Sequence, residues 1–269
     1  MGNPSGQPEL TITIDGREVP PDEVLDAELQ RGLVALDLLS SACGGQAVGS
    51  AARRFTEARS LALSDAVSAQ SAALVELKQR LGRARIQEAL EPYTQVTQKQ
   101  MQAWGLTPGE FAKALIEVTV AGISAEQFIG WFHRRSAQDD EVAMISSNPE
   151  HYLIAPVADP PGQDVIETMG LYGGPLHVIL TFHTDPAVYP EAALDDHPIR
   201  LCATGAFARD RSDVGAKALH QFKDTAAGMH AQLGIYFPTS FPEALVKGHQ
   251  MHLAIEFRNW ILAGRAAVL

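Results

Sequence analysis

Cysteine is scarce in this chain. Only Cys43 and Cys202 occur in 269 residues, far apart and in no CxxC arrangement. That excludes a disulfide framework and a CxxC motif, and two unpaired thiols lead us to expect a reducing, cytoplasmic setting. Positive charge is also short: 21 Lys and Arg face 32 Asp and Glu, for a net charge of −11. The densest basic spots are Arg53-Arg54 and Arg134-Arg135, too sparse to track phosphates, so nucleic acid is not an expected partner. No apolar run approaches the roughly 20 residues a membrane helix needs, so no membrane is expected either. The first eight residues lack a charged segment followed by an apolar one and read as a floppy tail, not a signal peptide. There is no GxSxG nucleophile motif. The glycines of Gly170-Leu-Tyr-Gly-Gly174 are flanked by strand patterns; a phosphate loop would want a helix to follow, so a turn is expected.

What remains is ordinary globular material, 46% hydrophobic and 20% charged, with ample length for a core. The first half reads as helical and the second mostly as strands, an α+β pattern. Leu10–Ile14 alternates as a short strand, followed by a turn at Asp15-Gly16. A helix opens at Pro20-Pro21-Asp22, with Asp22 as its N-cap, and runs to about Ser41. Residues 43–49 read as a loop. Residues 50–91 form a long amphipathic stretch in which Leu74, Leu77, Leu81, Ile86 and Leu90 share a face, with a bend at Gly82 and a stop at Pro92. That stripe suits packing inside the subunit or, alternatively, a homodimer interface; the first is the commoner use. Capping boxes at Thr107–Glu110, Ser124–Gln127 and Ser240–Glu243 announce three helices, the first ending near Gly122 and the last running from Pro242 to about Ala263. Strands are expected at 141–146, 151–157, 163–169, 175–183, 198–208, 216–223 and 229–237. We divide the chain into a helical region, 1–100, able to oligomerise or to roof a cavity, and an α+β domain, 101–269.

The residues that could carry chemistry are histidines and glutamates. His252 and Glu256 stand four apart on the last helix, on one face, and imidazole plus carboxylate at that spacing is half of a metal site. The other half must come from the sheet. His151 begins a strand and Glu167 ends one, both beside apolar positions. His220 shares a strand face with Ala218 and Phe222; with an unperturbed pKa near neutrality it is a candidate acid or base. Each also has a plainer reading, as a satisfied half-buried histidine or a solvated strand end. His249 lies nearly on the same face as His252, and spacing alone does not choose between them.

With those residues in view, the second half resembles the diacetylphloroglucinol and phloretin hydrolase family. Gly122–Phe132, Asn148-Pro-Glu-His151, Glu167-Thr-Met-Gly170, Leu219–Gly228 and His252-Leu-Ala-Ile-Glu256 resemble that family's segments in order, over roughly residues 118–269. The resemblance implies a helix-grip (START-like) fold, a sheet wrapped on the long C-terminal helix. It implies a zinc ion, though other divalent metals suit such ligands. It also implies hydrolysis of a carbon–carbon bond between an acyl group and a phenolic or β-dicarbonyl-like ring, through metal-activated water. By resemblance His151, Glu167, His252 and Glu256 hold the metal, His220 is the catalytic or substrate-contacting histidine, and the substrate is a small apolar or aromatic ketone. The departure is at Glu141–Ser147, which has no aromatic residue where family members carry one that can hydrogen-bond a phenol oxygen. The competing reading is a metal-free hydrophobic-ligand carrier or polyketide-cyclase-like protein of the same fold.

Overall fold

The computed structural model describes residues 10–268; the tail reading of residues 1–8 lies outside them. The described chain is α+β, with helices α1 (Pro21–Cys43), α2 (Gly45–Ala58), α3 (Leu63–Leu81), α4 (Arg83–Trp104), α5 (Ala125–Ala137), α6 (Glu141–Ile145) and α7 (Glu243–Ala266). The strands are β1 (Leu10–Ile14), β2 (Arg17–Val19), β3 (Phe111–Ala121), β4 (His151–Val157), β5 (Gly162–Thr168), β6 (Pro175–His183), β7 (Ile199–Phe207), β8 (Asp213–Asp224) and β9 (Gly228–Pro238). They form one antiparallel sheet in the order β2-β1-β3-β9-β8-β7-β6-β5-β4. The N-terminal hairpin β1–β2 thus extends the same sheet through pairing of β1 with β3.

One face of this sheet and two helices make the main core. Ile116 and Val118 of β3, Leu233 of β9, Phe222 of β8 and Val178 of β6 pack with Phe128 and Trp131 of α5 and with Leu253, Phe257 and Trp260 of α7. A second core lies where α1, α2, α3 and α4 meet Tyr152, Leu153 and Ile166 of β4 and β5. Leu74, Leu77, Leu81, Ile86 and Leu90 are all buried in it. The leucine stripe is therefore spent inside the subunit, each such side chain contributing roughly 1.5–3 kcal/mol. No described helix is long and apolar enough to cross a membrane.

Several local expectations need correction. Thr107–Glu110 opens no helix: it is a turn, with the Glu110 amide donating to the Thr107 carbonyl at 3.3 Å, and β3 follows. Ala114, Ile116, Val118 and Val120 are buried in strict alternation, and that period, with β-branched residues, outweighs a local capping pattern. Residues 141–146 are no strand; the Asp140 side chain caps α6 by accepting from the Ala143 amide at 3.1 Å. Residues 43–49 are broken only at Gly44, after which α2 begins. Pro92 sits inside α4 rather than ending it; it and Glu88, whose carbonyl loses its partner, are both exposed, so water can satisfy that carbonyl. Pro20, not Asp22, occupies the N-cap of α1; Asp22 and Glu23 fill its first turn, favoured there by the helix dipole. Ser240 does not cap α7 but donates to the Gly105 carbonyl at 2.7 Å. The Ser124 capping box on α5 is present in full.

Candidate metal centre

The centre is built where β4 and β5 end against α7. His151 and Glu167 are directly opposed in the β4–β5 register, which places both at one edge of the sheet. A bulge between His151 and Leu153 lets Tyr152 turn into the helical core while His151 faces α7. The turn after β5 then passes against the helix backbone: a Cβ at Gly170 would lie 2.2 Å from the Gly248 carbonyl carbon, and one at Gly248 2.3 Å from the Gly170 carbonyl oxygen. Only glycines permit that approach, and it brings Glu167 beside the face of α7 that carries His252 and Glu256.

His151, His252 and Glu256 offer ligand atoms that all lie within 4.8 Å of one another. His151 Nε2 is 3.2 Å from His252 Nε2 and 3.6 Å from Glu256 Oε1. Glu167 Oε2 lies 3.5 Å from His151 Nε2 and 3.8 Å from His252 Nε2. Glu167 thus reaches both histidines without joining the tightest group. Ligands about 2.1 Å from a common tetrahedral centre would be about 3.4 Å apart, close to these separations.

The hydrogen-bond network decides where the imidazole protons are. His252 Nδ1 is 3.0 Å from Glu150 Oε2, a carboxylate paired with Arg31, so Nδ1 carries the proton and Nε2 is a bare lone pair. The Ser147 hydroxyl donates its one proton to the Met144 carbonyl at 2.9 Å. Its oxygen therefore accepts from His151 Nδ1 at 3.1 Å, and His151 Nε2 is bare as well. Two lone pairs face each other at 3.2 Å with carboxylate oxygens beside them and no proton between. A cation could take up such a set of facing lone pairs. His151 and His252 are 0% and 1% exposed, and Glu167 and Glu256 18% and 13%. Burial holds His151 well below the usual imidazole range, with the His252 and Lys78 charges adding to it. Burial, then the Arg31 charge, does the same to His252. Burial and the neighbouring Glu150 push Glu167 up to about 8, while burial and Glu167 push Glu256 well above the ordinary range. These are the shifts expected of ligands in a site that a cation would relieve. The cluster could hold a metal ion.

Glu167, His252 and Glu256 line a cavity of about 140 Å³, a size that holds one benzene-like molecule. Its walls are largely apolar, from β5–β9 and α7, among them Leu176, Val178, Leu201, Phe237 and Phe257. His220 lines it as well, from β8, its ring against Phe257. His220 Nδ1 accepts from the Gly234 amide at 3.2 Å, so its proton sits on Nε2. Burial lowers its pKa to about 4. At neutral pH it is a fixed N–H donor, not a titrating acid. His249 stacks on His252 with ring centroids 4.8 Å apart, but the ligand position falls to His252. His249 also lines the cavity, and its buried Nδ1 has no hydrogen-bond partner.

The residues around the ligands were not foreseen. Glu150, Arg31, Lys78 and Ser147 are all buried. Asn148 donates to the His252 carbonyl at 3.2 Å, and Asn259 donates to the Ser147 carbonyl at 2.9 Å, pinning the approach to β4 against α7. Glu150 lay inside the Asn148–His151 motif, and Arg31 lies on the buried face of α1 with Val24, Glu28, Ala35 and Leu39, where a charge stands among mostly apolar neighbours. No protein-family model matches this chain, and no curated protein matches it.

Proposed function

We propose that this protein is a metal-dependent hydrolase, with zinc as the metal and His151, Glu167, His252 and Glu256 as its ligands. It cleaves the bond between an acyl carbon and a phenolic or β-dicarbonyl-like ring. The observation that carries the reading is the pair of unprotonated Nε2 atoms, 3.2 Å apart and flanked by carboxyl groups, beside a largely apolar cavity sized for one ring. The resemblance to acylphloroglucinol hydrolases supports the reaction class. The packing of α7 along one sheet face supports a helix-grip arrangement. The free Cys43 and Cys202 fit a reducing, cytoplasmic setting.

A divalent metal held by His151, Glu167, His252 and Glu256 would supply a water of lowered pKa and a Lewis acid for the acyl carbonyl. The chain's own residues do the rest. The apolar walls exclude bulk water and hold the ring. The His220 Nε2–H donates to a substrate oxygen and fixes its orientation at neutral pH. The reaction consumes one water: its hydroxyl goes to the acyl carbon, giving a carboxylic acid, and its proton goes to the ring carbon as the bond breaks. Residues 141–147 supply no phenol-binding aromatic, so recognition of the far end of the substrate rests on cavity shape and on histidine.

Purified protein should contain about one zinc per chain and release a carboxylic acid from members of an acyl-phenol and β-diketone panel. His220→Ala should lower turnover by about 10²-fold with zinc retained. A protein that carries an apolar ligand, holds no metal and turns over none of the panel would instead be the hydrophobic-ligand carrier of the same fold.

A further inference from the structure

Resting on the metal reading, we infer that Arg31 of α1 and Lys78 of α3 are positioning residues of the metal centre, so that the helical N-terminal half completes a site whose ligands all lie in the second half. Lys78 is wholly buried, and burial lowers its pKa to about 7; among the described residues its side-chain nitrogen enters no ion pair. It donates to the Pro149 carbonyl at 2.9 Å and the His151 carbonyl at 2.5 Å, and stands 5.4 Å from the centre of the Tyr152 ring. Those carbonyls flank the Glu150–His151 dipeptide, so Lys78 clamps the strand start from which His151 projects. Arg31 is 2% exposed. One arm of its guanidinium pairs with Glu150 Oε2 and the other donates to the Gly248 carbonyl at 2.9 Å. Arg31 therefore ties the approach to β4 to the first turns of α7, four residues before His252.

The oxygen that Arg31 engages also receives the His252 Nδ1 proton. A second bond, from the Leu171 amide at 2.8 Å, holds the other carboxylate oxygen. Arg31, Glu150 and His252 form a chain of charge-assisted contacts that fixes the ring's tautomer and direction, as outer partners of metal-binding histidines do. Ion pairs and ammonium groups buried this deeply are costly, and apolar residues of the same size would serve packing at least as well. Their placement on the two ligand-bearing segments is what an outer shell requires.

The test is zinc affinity, measured by competition with a chromophoric chelator, together with the visible spectrum of the cobalt-loaded protein. Arg31→Met alone leaves Glu150 buried and unpaired, so the variants are R31M/E150Q, which keeps the pair's shape without its charge, and K78M. Both should bind zinc about 10–100-fold more weakly than the parent and shift the cobalt bands, with near-parental circular dichroism. R31K, which keeps the charge and loses the fork, should recover part of the affinity. R54M, at an exposed pair with Glu76, should change nothing. Zinc affinity within twofold of the parent in both R31M/E150Q and K78M, with unchanged cobalt spectra, would overturn the inference and leave the metal reading standing. A parent protein that binds neither metal would overturn both.

Discussion

Two histidine pairs in this molecule have nearly the same spacing and opposite chemistry. His197 and His230 approach at 2.9 Å between His197 Nε2 and His230 Nδ1, while His151 and His252 approach at 3.2 Å. In the first pair His197 Nδ1 donates to Asp196 at 2.7 Å, so its Nε2 is a lone pair. His230 is free to donate from Nδ1, and the contact is an ordinary hydrogen bond. In the second pair both Nδ1 protons are committed, to Ser147 and to Glu150, and neither Nε2 carries one. The first pair is satisfied by its own protons beside a 64% exposed Asp196; the second is buried, with no imidazole proton between its Nε2 atoms, and could be satisfied by a cation. Distance between imidazoles is uninformative until the outer partners are assigned.

The sharpest way to break this contrast is to remove one ring from each pair. His252→Ala should reduce bound metal from near one per chain to a trace, whereas His230→Ala should leave metal content unchanged; elemental analysis of both variants decides it. Next in size is the metal's share of stability. Zinc at about 100 times its dissociation constant should stabilise the fold by about 2.7 kcal/mol. Urea titrations with and without chelator should show that gain in the parent and in His230→Ala but not in His252→Ala.

How far the centre was legible follows from the same geometry. His252 and Glu256 could be read from helical spacing, because both sit on one element. His151 and Glu167 are neighbours only through a strand register, which spacing along the chain does not encode; their strand-end positions beside apolar residues marked them as candidates, and only the family resemblance joined them to the helix pair as ligands. Arg31 and Lys78 lie more than 70 residues from the backbone they hold, and their trace in the sequence was a charge standing in a mostly apolar helical stripe. The stripe of α3 and α4 and most strands were visible from periodicity, and α1 and α5 from the proline and capping residues at their starts. β3 was misread because a turn resembling a capping box precedes it, and α6 because five residues are too few for a helical period to show.

The glycine contact offers a smaller test on the metal side of the comparison. Gly248→Ala drives a methyl into the Gly170 backbone and should cost about 1–3 kcal/mol, read from urea unfolding, with weaker metal retention. Gly49→Ala in α2, where nothing lies within 4 Å of the new Cβ, should be neutral or stabilising by up to about 1 kcal/mol.

The smallest effect concerns the satisfied pair. The hydrogen bonds from Lys223 and His197 hold the Asp196 carboxyl down at about 2, against an unfolded value of about 3.9. A depressed carboxylate adds stability above its unfolded pKa and loses it as pH falls toward the folded one, so the contribution should fade between about pH 4 and pH 2. Carbon NMR of the Asp196 carboxyl should titrate near 2 in the parent and higher in Lys223→Ala, with metal content the same in both.

The central claim is that the second histidine pair exists to face a metal. The most direct measurement is a crystal structure of the protein as purified, with anomalous diffraction collected at the zinc absorption edge. The account predicts a single strong peak between His151 Nε2 and His252 Nε2, with each of those nitrogens and oxygens of Glu167 and Glu256 about 2.0–2.2 Å away. No peak at that point in zinc-supplemented crystals, or a peak bound by other residues, would contradict it.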